Sequence, residues 1–317
     1  MGFGGVLAPW EPLPREDTRT LSLESMDGST SIPLNYDAEH LLLPGVTGLD
    51  LPPLSVVTAQ TPGIDGSWLQ EVDVLQRAVF LPLEFASESS QAEFFQTLSD
   101  LCGVVAGWDQ VALGSTGTFR LVANSSLGER LLDVVYSSGM EGSWGADQSG
   151  AKWQKYGLNL IAVDPYWRDR DWTVEEFTQS DPITFVTSTA GAESPWPRQI
   201  VNNFDVIGNG MRLSVGDIPA WPVVEIDGPA GGVNVIWPGT SITTNSLIAS
   251  ENLVLTTDPR ARSARLNGQV AWSAISIGSV ISSLPAGNAQ IDVASASGQL
   301  PQRISVRWRK GYKAAFI

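Results

Sequence analysis

Cysteine and histidine are almost missing from this chain, and each shortage closes off chemistry. Among 317 residues there is one cysteine, Cys102, and one histidine, His40. A lone thiol forms no intrachain disulfide and cannot supply the thiolates of a structural zinc site. One histidine cannot build a two-histidine zinc motif, and a Ser-His-Asp triad would have to run through His40 alone. His40 precedes Leu41-Leu42-Leu43 and reads as the beginning of a strand, while Cys102 is expected as a small buried hydrophobe. Long apolar runs are also missing: no stretch of about 20 apolar residues exists, so no membrane-spanning helix is expected. The opening "MGFGGVLAPWEPLPRED" lacks the basic start and apolar centre of an export signal. Gly2 follows Met1, but Val6 stands where a myristoylation motif needs Ser or Thr. Without export, the sequon at Asn124-Ser125-Ser126 is incidental.

Charge is scarce too, at 17% of residues, and it is unevenly placed. Residues 1–175 hold 24 Asp and Glu against 9 Lys and Arg, a net of −15; residues 176–317 hold 10 of each, a net of zero. A surface with that acidic excess repels phosphate backbones and argues against ordinary nucleic-acid binding. The one basic stretch is the tail, with five Lys and Arg after residue 300 and no acid.

What the chain does have is turn residues and strand formers. With 31 glycines and 20 prolines, short runs of Val, Ile, Thr and Trp are cut into pieces of strand length. Thr20–Leu23 and Ser31–Leu34 are candidate strands, and 41–54 has too many prolines for a ladder interior and reads as an ordered loop. Strands are expected over 72–83, 117–124, 130–139 and 156–163. The glycine-rich connection 140–155 reads either as a long hairpin loop or as an arm reaching a neighbouring subunit. One helix is legible: Ser90-x-x-Glu93 has capping-box spacing, and Phe94, Phe95, Leu98, Leu101 and Cys102 form an apolar face up to Gly103, where the helix should stop. The first part is therefore expected to be α+β, ending near residue 175 after Asp164-Pro165.

The second part has no helical period. Candidate strands fall at 183–189, 222–227, 232–237, 246–250, 252–257, 289–295 and 303–309, the spacing of a β-sandwich. "RISVRWR" alternates Ile304, Val306 and Trp308 against Arg303, Ser305, Arg307 and Arg309. In "GDIPAWPVVEIDGP" the prolines Pro219 and Pro222 stand before the β-branched run, where a strand can spare an N–H, and Trp221 reads as a plug at the rim. The fold class is mainly β, in two domains, 1–175 and 176–317.

Catalytic motifs are not found: no nucleophile elbow, P-loop or calcium-binding loop, and Gly208-x-Gly210 lacks the third glycine of a dinucleotide site. The acid pairs Glu175-Glu176 and Asp169/Asp171 could serve a glycosidase in principle, but neighbouring acids at a domain junction are more often a solvated surface. Twelve tryptophans leave room for a sugar-stacking platform, although Trp237, Trp272 and Trp308 lie in or beside apolar strand runs and are expected to be buried. No catalytic, cofactor-binding or metal-binding residue is assigned.

A succession of segments, rather than any single motif, carries a likeness. "YGLNLIAVDPYWRD" is followed by "GDIPAWPVVEIDGP", then "NLVLTTDPRARSARLNG", "LPAGNAQIDV" and "RISVRWRKGY". In this order, from about Glu71 to Tyr312, the chain resembles the distal tail proteins of long-tailed, non-contractile bacteriophages. The resemblance implies an N-terminal ring-forming domain akin to the tail-tube subunit, a barrel or sandwich with one helix, and an outer galectin-like β-sandwich. It implies a structural virion protein of the tail tip, assembled in the host cytoplasm. Its hexameric ring would join the tail-tube protein to the tail-tip hub or tail-associated protein, with the tape-measure protein as a further partner. DNA would pass through the lumen without specific binding, and neither a cofactor nor a membrane would be involved. Intervals between the segments leave no room for an inserted carbohydrate-binding module. The alternative is that the sandwich itself is a carbohydrate-binding module for host cell-wall glycans.

Overall fold

Strand follows strand along most of the chain, and a single α-helix interrupts them among the described residues. The computed structural model describes residues 19–34, 40–87, 90–106, 117–142, 149–178, 211–295 and 301–316. It divides into two compact units, Met1–Pro165 with Ala314–Ile317, and Tyr166–Lys313. The architecture is mainly β, as the turn-punctuated sequence predicts.

The first unit contains β1 (Thr20–Glu24), β2 (Ser31–Pro33), β3 (His40–Leu42), β4 (Leu54–Ala59), β5 (Trp68–Val74), β6 (Arg77–Ala86), α1 (Gln91–Val105), β7 (Phe119–Ser125), β8 (Gly128–Ser138), β9 (Ser149–Gly150) and β10 (Trp153–Ala162). Its main strands follow the order β2-β1-β7-β8-β10-β6-β3, with β9 beside β10. Strand β8 pairs with β7 along Gly128–Val134 and with β10 along its far end, so one long strand serves two neighbours. Alternation sets the core: Val79, Leu81, Leu83 and Phe85 of β6 are all buried, as are Leu158 and Leu160 of β10.

Helix α1 begins as expected, with the Ser90 hydroxyl accepting the Glu93 N–H at 3.1 Å. Its buried face is Phe94, Leu101, Val104 and Val105, whereas Phe95 and Cys102 are exposed. The predicted burial of Cys102 is therefore wrong. Adjacent helical residues lie about 100° apart, so Phe95 and Cys102 turn away from the side on which Phe94 and Leu101 are buried. The helix also runs past Gly103 to a cap at Ala106, because Val104 and Val105 still have core to cover.

The proline-rich stretch after β3 is ordered, and one side chain explains why. Arg77, fully buried, donates from Nε to the Pro165 carbonyl at 2.7 Å and from Nη1 to the carbonyls of Gly48, at 2.8 Å, and Asp50. Gly48 lies at φ +86° with its α-carbon against the Ala78 backbone, where a β-carbon would collide with the Ala78 carbonyl. The chain end returns to this unit as well. Arg130 Nη1 donates to the Ala314 carbonyl at 2.8 Å, and the Ala315 N–H bonds the Leu49 carbonyl at 2.9 Å.

The second unit contains β11 (Trp167–Asp169), β12 (Thr173–Thr178), β13 (Met211–Gly216), β14 (Val223–Asp227), β15 (Val233–Trp237), β16 (Thr240–Thr243), β17 (Asn252–Thr256), β18 (Ser263–Leu266), β19 (Gln269–Val270), β20 (Gly287–Ser295), β21 (Arg303–Trp308) and β22 (Gly311–Tyr312). One sheet runs β16-β15-β20-β13-β22-β11 and the other β12-β21-β14-β17-β18-β19. A single core cluster draws on both, including Leu213, Val235 and Ile291 from the first and Ile226, Leu255 and Val306 from the second. Two sheets facing one core make a β-sandwich. Its chain begins at Tyr166 rather than near 175, because β11 pairs with β22 and β12 with β21.

The Pro-Trp stretch is the entrance to an interior strand. Pro219 and Pro222 precede β14, which is hydrogen-bonded on both sides, to β21 and β17. The buried Pro222 carbonyl accepts the Thr257 hydroxyl at 2.7 Å, and Trp221 is half-buried. Three sequence expectations are revised. Residues 246–250 form no strand, contributing only a bridge between Leu247 and Ala230. The run 72–83 is two strands that break at Leu75-Gln76. A short 3-10 turn, Trp272–Ala274, interrupts the all-strand pattern of the second part. The expected strand at 183–189 and the Gly208-x-Gly210 segment lie outside the described residues.

Candidate assembly surfaces

Strands β4 and β5 stand apart from the other strands of the first unit as a two-stranded sheet. They pair antiparallel from Leu54↔Val74 to Ala59↔Trp68, with an irregularity at Val57/Thr58. Trp68 Nε1 donates to Thr61 Oγ1 at 3.2 Å near the tip, and the Leu75 N–H bonds the Pro53 carbonyl at 2.9 Å at the base. Both faces are open: Val56 and Val57 are adjacent and both exposed, and on β5 Trp68 (55%), Leu69 (64%), Val72 and Val74 are exposed too. An isolated two-stranded hairpin is marginal in water, and a hairpin this apolar on two faces is a surface waiting for a partner. Its charges are Asp65, Glu71 and Asp73, with no Lys, Arg or His anywhere from Leu41 to Gln76.

Of the two readings that the sequence leaves for 140–155, the described part follows the hairpin loop: β9 pairs onto β10, and Asn159 lies opposite Ser138. It is stitched down by Glu141, which accepts the Gly139 N–H at 2.8 Å and the Tyr136 hydroxyl at 3.3 Å. Bonds from its own and the Gly139 backbone N–H, with the Tyr136 hydroxyl, hold the Glu141 carboxyl below the usual carboxylate range.

The outer face of the β12-β21-β14-β17 sheet carries the basic tail. Arg303 Nε meets Asp227 at 2.8 Å, and its other nitrogens approach Glu176 at 3.4 Å and Glu225 at 3.7 Å. The Asp227 hydrogen bond, more than any other contact, raises the Arg303 pKa above its ordinary value. Two rows along, Val174, Arg307 and Val223 lie directly opposite one another on neighbouring strands and so share this face. Trp172, 46% exposed, has Arg307 Cζ at 5.7 Å and Arg309 Cζ at 5.1 Å from its ring centre. Those distances are in the cation–π range. The Arg307 Nε is buried and has no hydrogen-bond partner among the described residues.

The acid pairs do not converge. Glu175 and Glu176 are successive residues of β12 and point to opposite faces, Glu176 toward Arg303. Asp169 accepts the Tyr312 hydroxyl at 3.2 Å, a tie between β11 and β22. His40 begins β3, as its position before three leucines predicts. Among the described residues no three His, Cys, Asp or Glu side chains are grouped to hold a metal. Trp237 and Trp308 are buried as expected, but Trp272 is 43% exposed, because the strand run before it ends at Val270.

No protein-family model matches the chain, and no curated protein does. Solved structures do, over nearly its whole length. The Dit (gp 19.1) protein of phage SPP1, described as a paradigm of hub adsorption apparatus in phages infecting Gram-positive hosts, is 11% identical with a TM-score of 0.59, over 92% of this chain and 98% of that one. A chain of the phage P2 baseplate in its activated conformation with Ca is 11% identical with a TM-score of 0.53, over 94% and 99%. The corresponding baseplate with Sr gives 10% identity and a TM-score of 0.52, over 94% and 99%. At such identities the likeness is one of fold, and it takes in both units.

Proposed function

We propose that this chain is a structural subunit of a bacteriophage tail tip, with no catalytic role. Six copies would close a ring that joins the tail tube above to the host-adsorption apparatus below, in the virion. The observation that carries this reading is the β4–β5 arm, an apolar two-faced hairpin that needs a protein neighbour. The likeness in fold to a phage hub protein and to chains of a phage baseplate supports the same reading. In this ring the first unit would line a channel for DNA. Residues 1–165 hold 21 Asp and Glu against 7 Lys and Arg, a net of −14 and roughly −84 over six copies, which would keep phosphates from adsorbing to the wall. Expected partners are further copies of the chain, the tail-tube protein, the tail-tip hub protein and the tape-measure protein.

Native mass spectrometry with negative-stain imaging tests this directly. A six-copy ring is the expected species. A chain that stays monomeric at high concentration, and also when mixed with its tail-tube and tail-tip partners, overturns the reading.

A second reading, glycan binding by the sandwich, has one observation in its favour: the exposure of Trp272. Binding of the full chain to host cell-wall polysaccharide, lost in Trp272→Ala, is what it must produce. Unchanged binding in that variant removes Trp272 as the platform.

A further inference from the structure

The arm and the basic face of the sandwich are complementary in both respects that matter for docking. The face of the arm that carries Glu71 and Asp73 also carries Trp68 and Val57, all open to a partner, and no cation. The face offers Trp172 and Val174, both close to half exposed, with Arg307 and Arg309 beside the indole. We propose that the β4–β5 arm of one copy seats on the Trp172–Val174–Arg307–Arg309 face of a second copy. This rests on the reading of the chain as a multi-copy assembly, and names the contact that would hold neighbours together.

Three observations favour this occupant. The acids of the sheet face are drawn to its other end, where Arg303 engages Glu176, Glu225 and Asp227, so Arg307 is left in a cationic and apolar setting. The Arg307 guanidinium lies against the Trp172 ring and its Nε meets no acceptor among the described residues, so its charge is open to an incoming carboxylate at the exposed side of the group. Val174, nearly half exposed and directly opposite Arg307, adds an aliphatic contact beside the indole, which suits a hairpin face with a tryptophan among its acids. A polyanion would draw on the arginines and leave Trp172 and Val174 unused. Because each copy carries both halves, the contact is head-to-tail, the kind that closes into a ring when the rotation allows.

The test is a charge exchange on the full chain, read by mass photometry or sedimentation. Arg307→Glu/Arg309→Glu, and separately Glu71→Lys/Asp73→Lys, are each expected to weaken self-association about tenfold or more at low salt. The chain carrying all four changes is expected to return to within about threefold of the original, since opposite charges again face each other. Failure of the four-fold variant to recover overturns the proposal. A second readout guards against misfolding. In a Cys102→Ser background, copies with Asp73→Cys and differently tagged copies with Arg309→Cys are mixed and treated with a short bismaleimide. Cross-links joining the two tags support the contact, and their absence from an intact multimer overturns it. An unmodified chain that never associates removes the ring reading and this contact together, whereas a multimer indifferent to the exchange removes this contact alone. Binding to polyphosphate that Arg307→Glu/Arg309→Glu abolishes, with assembly unchanged, assigns the face to an anionic polymer and overturns the proposal as well.

Discussion

In the second unit, apolar strands look inward at one another across a single core, and Leu213, Ile226, Val306 and Trp308 are all but fully buried. In the first unit, the equally apolar strands β4 and β5 stand in the open. The sandwich closes its core within one chain, and Trp172, Val174 and Trp272 are left at its surface. The first unit likewise closes a core from β1, β6, β7, β8, β10 and α1, but leaves the arm unsatisfied. The contrast separates residues that hold the chain together from residues that hold chains to one another, and each class has its own experimental signature.

The sharpest way to break the comparison is to swap a tryptophan in each place. Trp308→Ala is expected to cost about 3–5 kcal/mol of unfolding free energy in denaturant titration, because it empties a fully buried site. Trp68→Ala on the arm is expected to change the unfolding of the monomer by roughly 0.5 kcal/mol or less. Its effect appears in assembly, which should weaken visibly. A Trp68→Ala chain as destabilised as Trp308→Ala would show the arm to be part of the monomer's own core, and the division would collapse.

Next in size is the junction of arm and body. Arg77→Met keeps the length of the side chain but takes the donors from the carbonyls of Gly48, Asp50 and Pro165. Buried acceptors left dry are costly, so a loss of about 3 kcal/mol is expected in the same titration. Hydrogen exchange should rise first in residues 43–53. If exchange there is unchanged, Arg77 does not anchor the loop.

The smallest effect concerns pH. Asp27 accepts bonds from the Ser25 hydroxyl, at 2.6 Å, and from the N–H and hydroxyl of Ser29, and these pull its pKa down to about 2. A carboxyl depressed in the folded state stabilises above its unfolded value near 3.8, and that contribution is lost as pH falls toward 2. Carbon-detected NMR titration should place its midpoint near 2, and Asp27→Asn should flatten the acid limb of stability slightly. A midpoint near 3.8 would show the turn to be open in solution.

How much of this is legible in the sequence depends on whether a strand has one wet face. In β21 the alternation of Ile304, Val306 and Trp308 with arginines mirrors burial, because one side meets the core and the other meets water. Around Pro222 the local chemistry also suffices, since proline can stand only where a ladder N–H is spare. The arm defeats the same logic: Val56 and Val57 are both exposed, so apolar residues there mark no inward face and the period is lost. The glycine-rich 140–155 segment admits an arm as readily as a hairpin loop, because a flexible composition is compatible with both. In α1 the sequence identifies a helix but not its rotation, and Phe94 was bound to be confused with Phe95 until the sheet beneath was known. The arm-binding face was hidden for another reason, since Trp172 and Arg307 come from segments more than a hundred residues apart.

The bonds from Arg130 to the Ala314 carbonyl and from the Ala315 N–H to the Leu49 carbonyl tie residues 314–315 into the first unit. Seen along the polypeptide, the sandwich is therefore an insertion between Pro165 and Ala314. During synthesis the first unit stays unfinished until the whole sandwich has emerged and the tail behind it is free to fold back. A prematurely terminated product would lack that closing segment. Completion of the arm-bearing unit thus waits on synthesis of the sandwich, a built-in delay that favours joining only subunits that already carry both units.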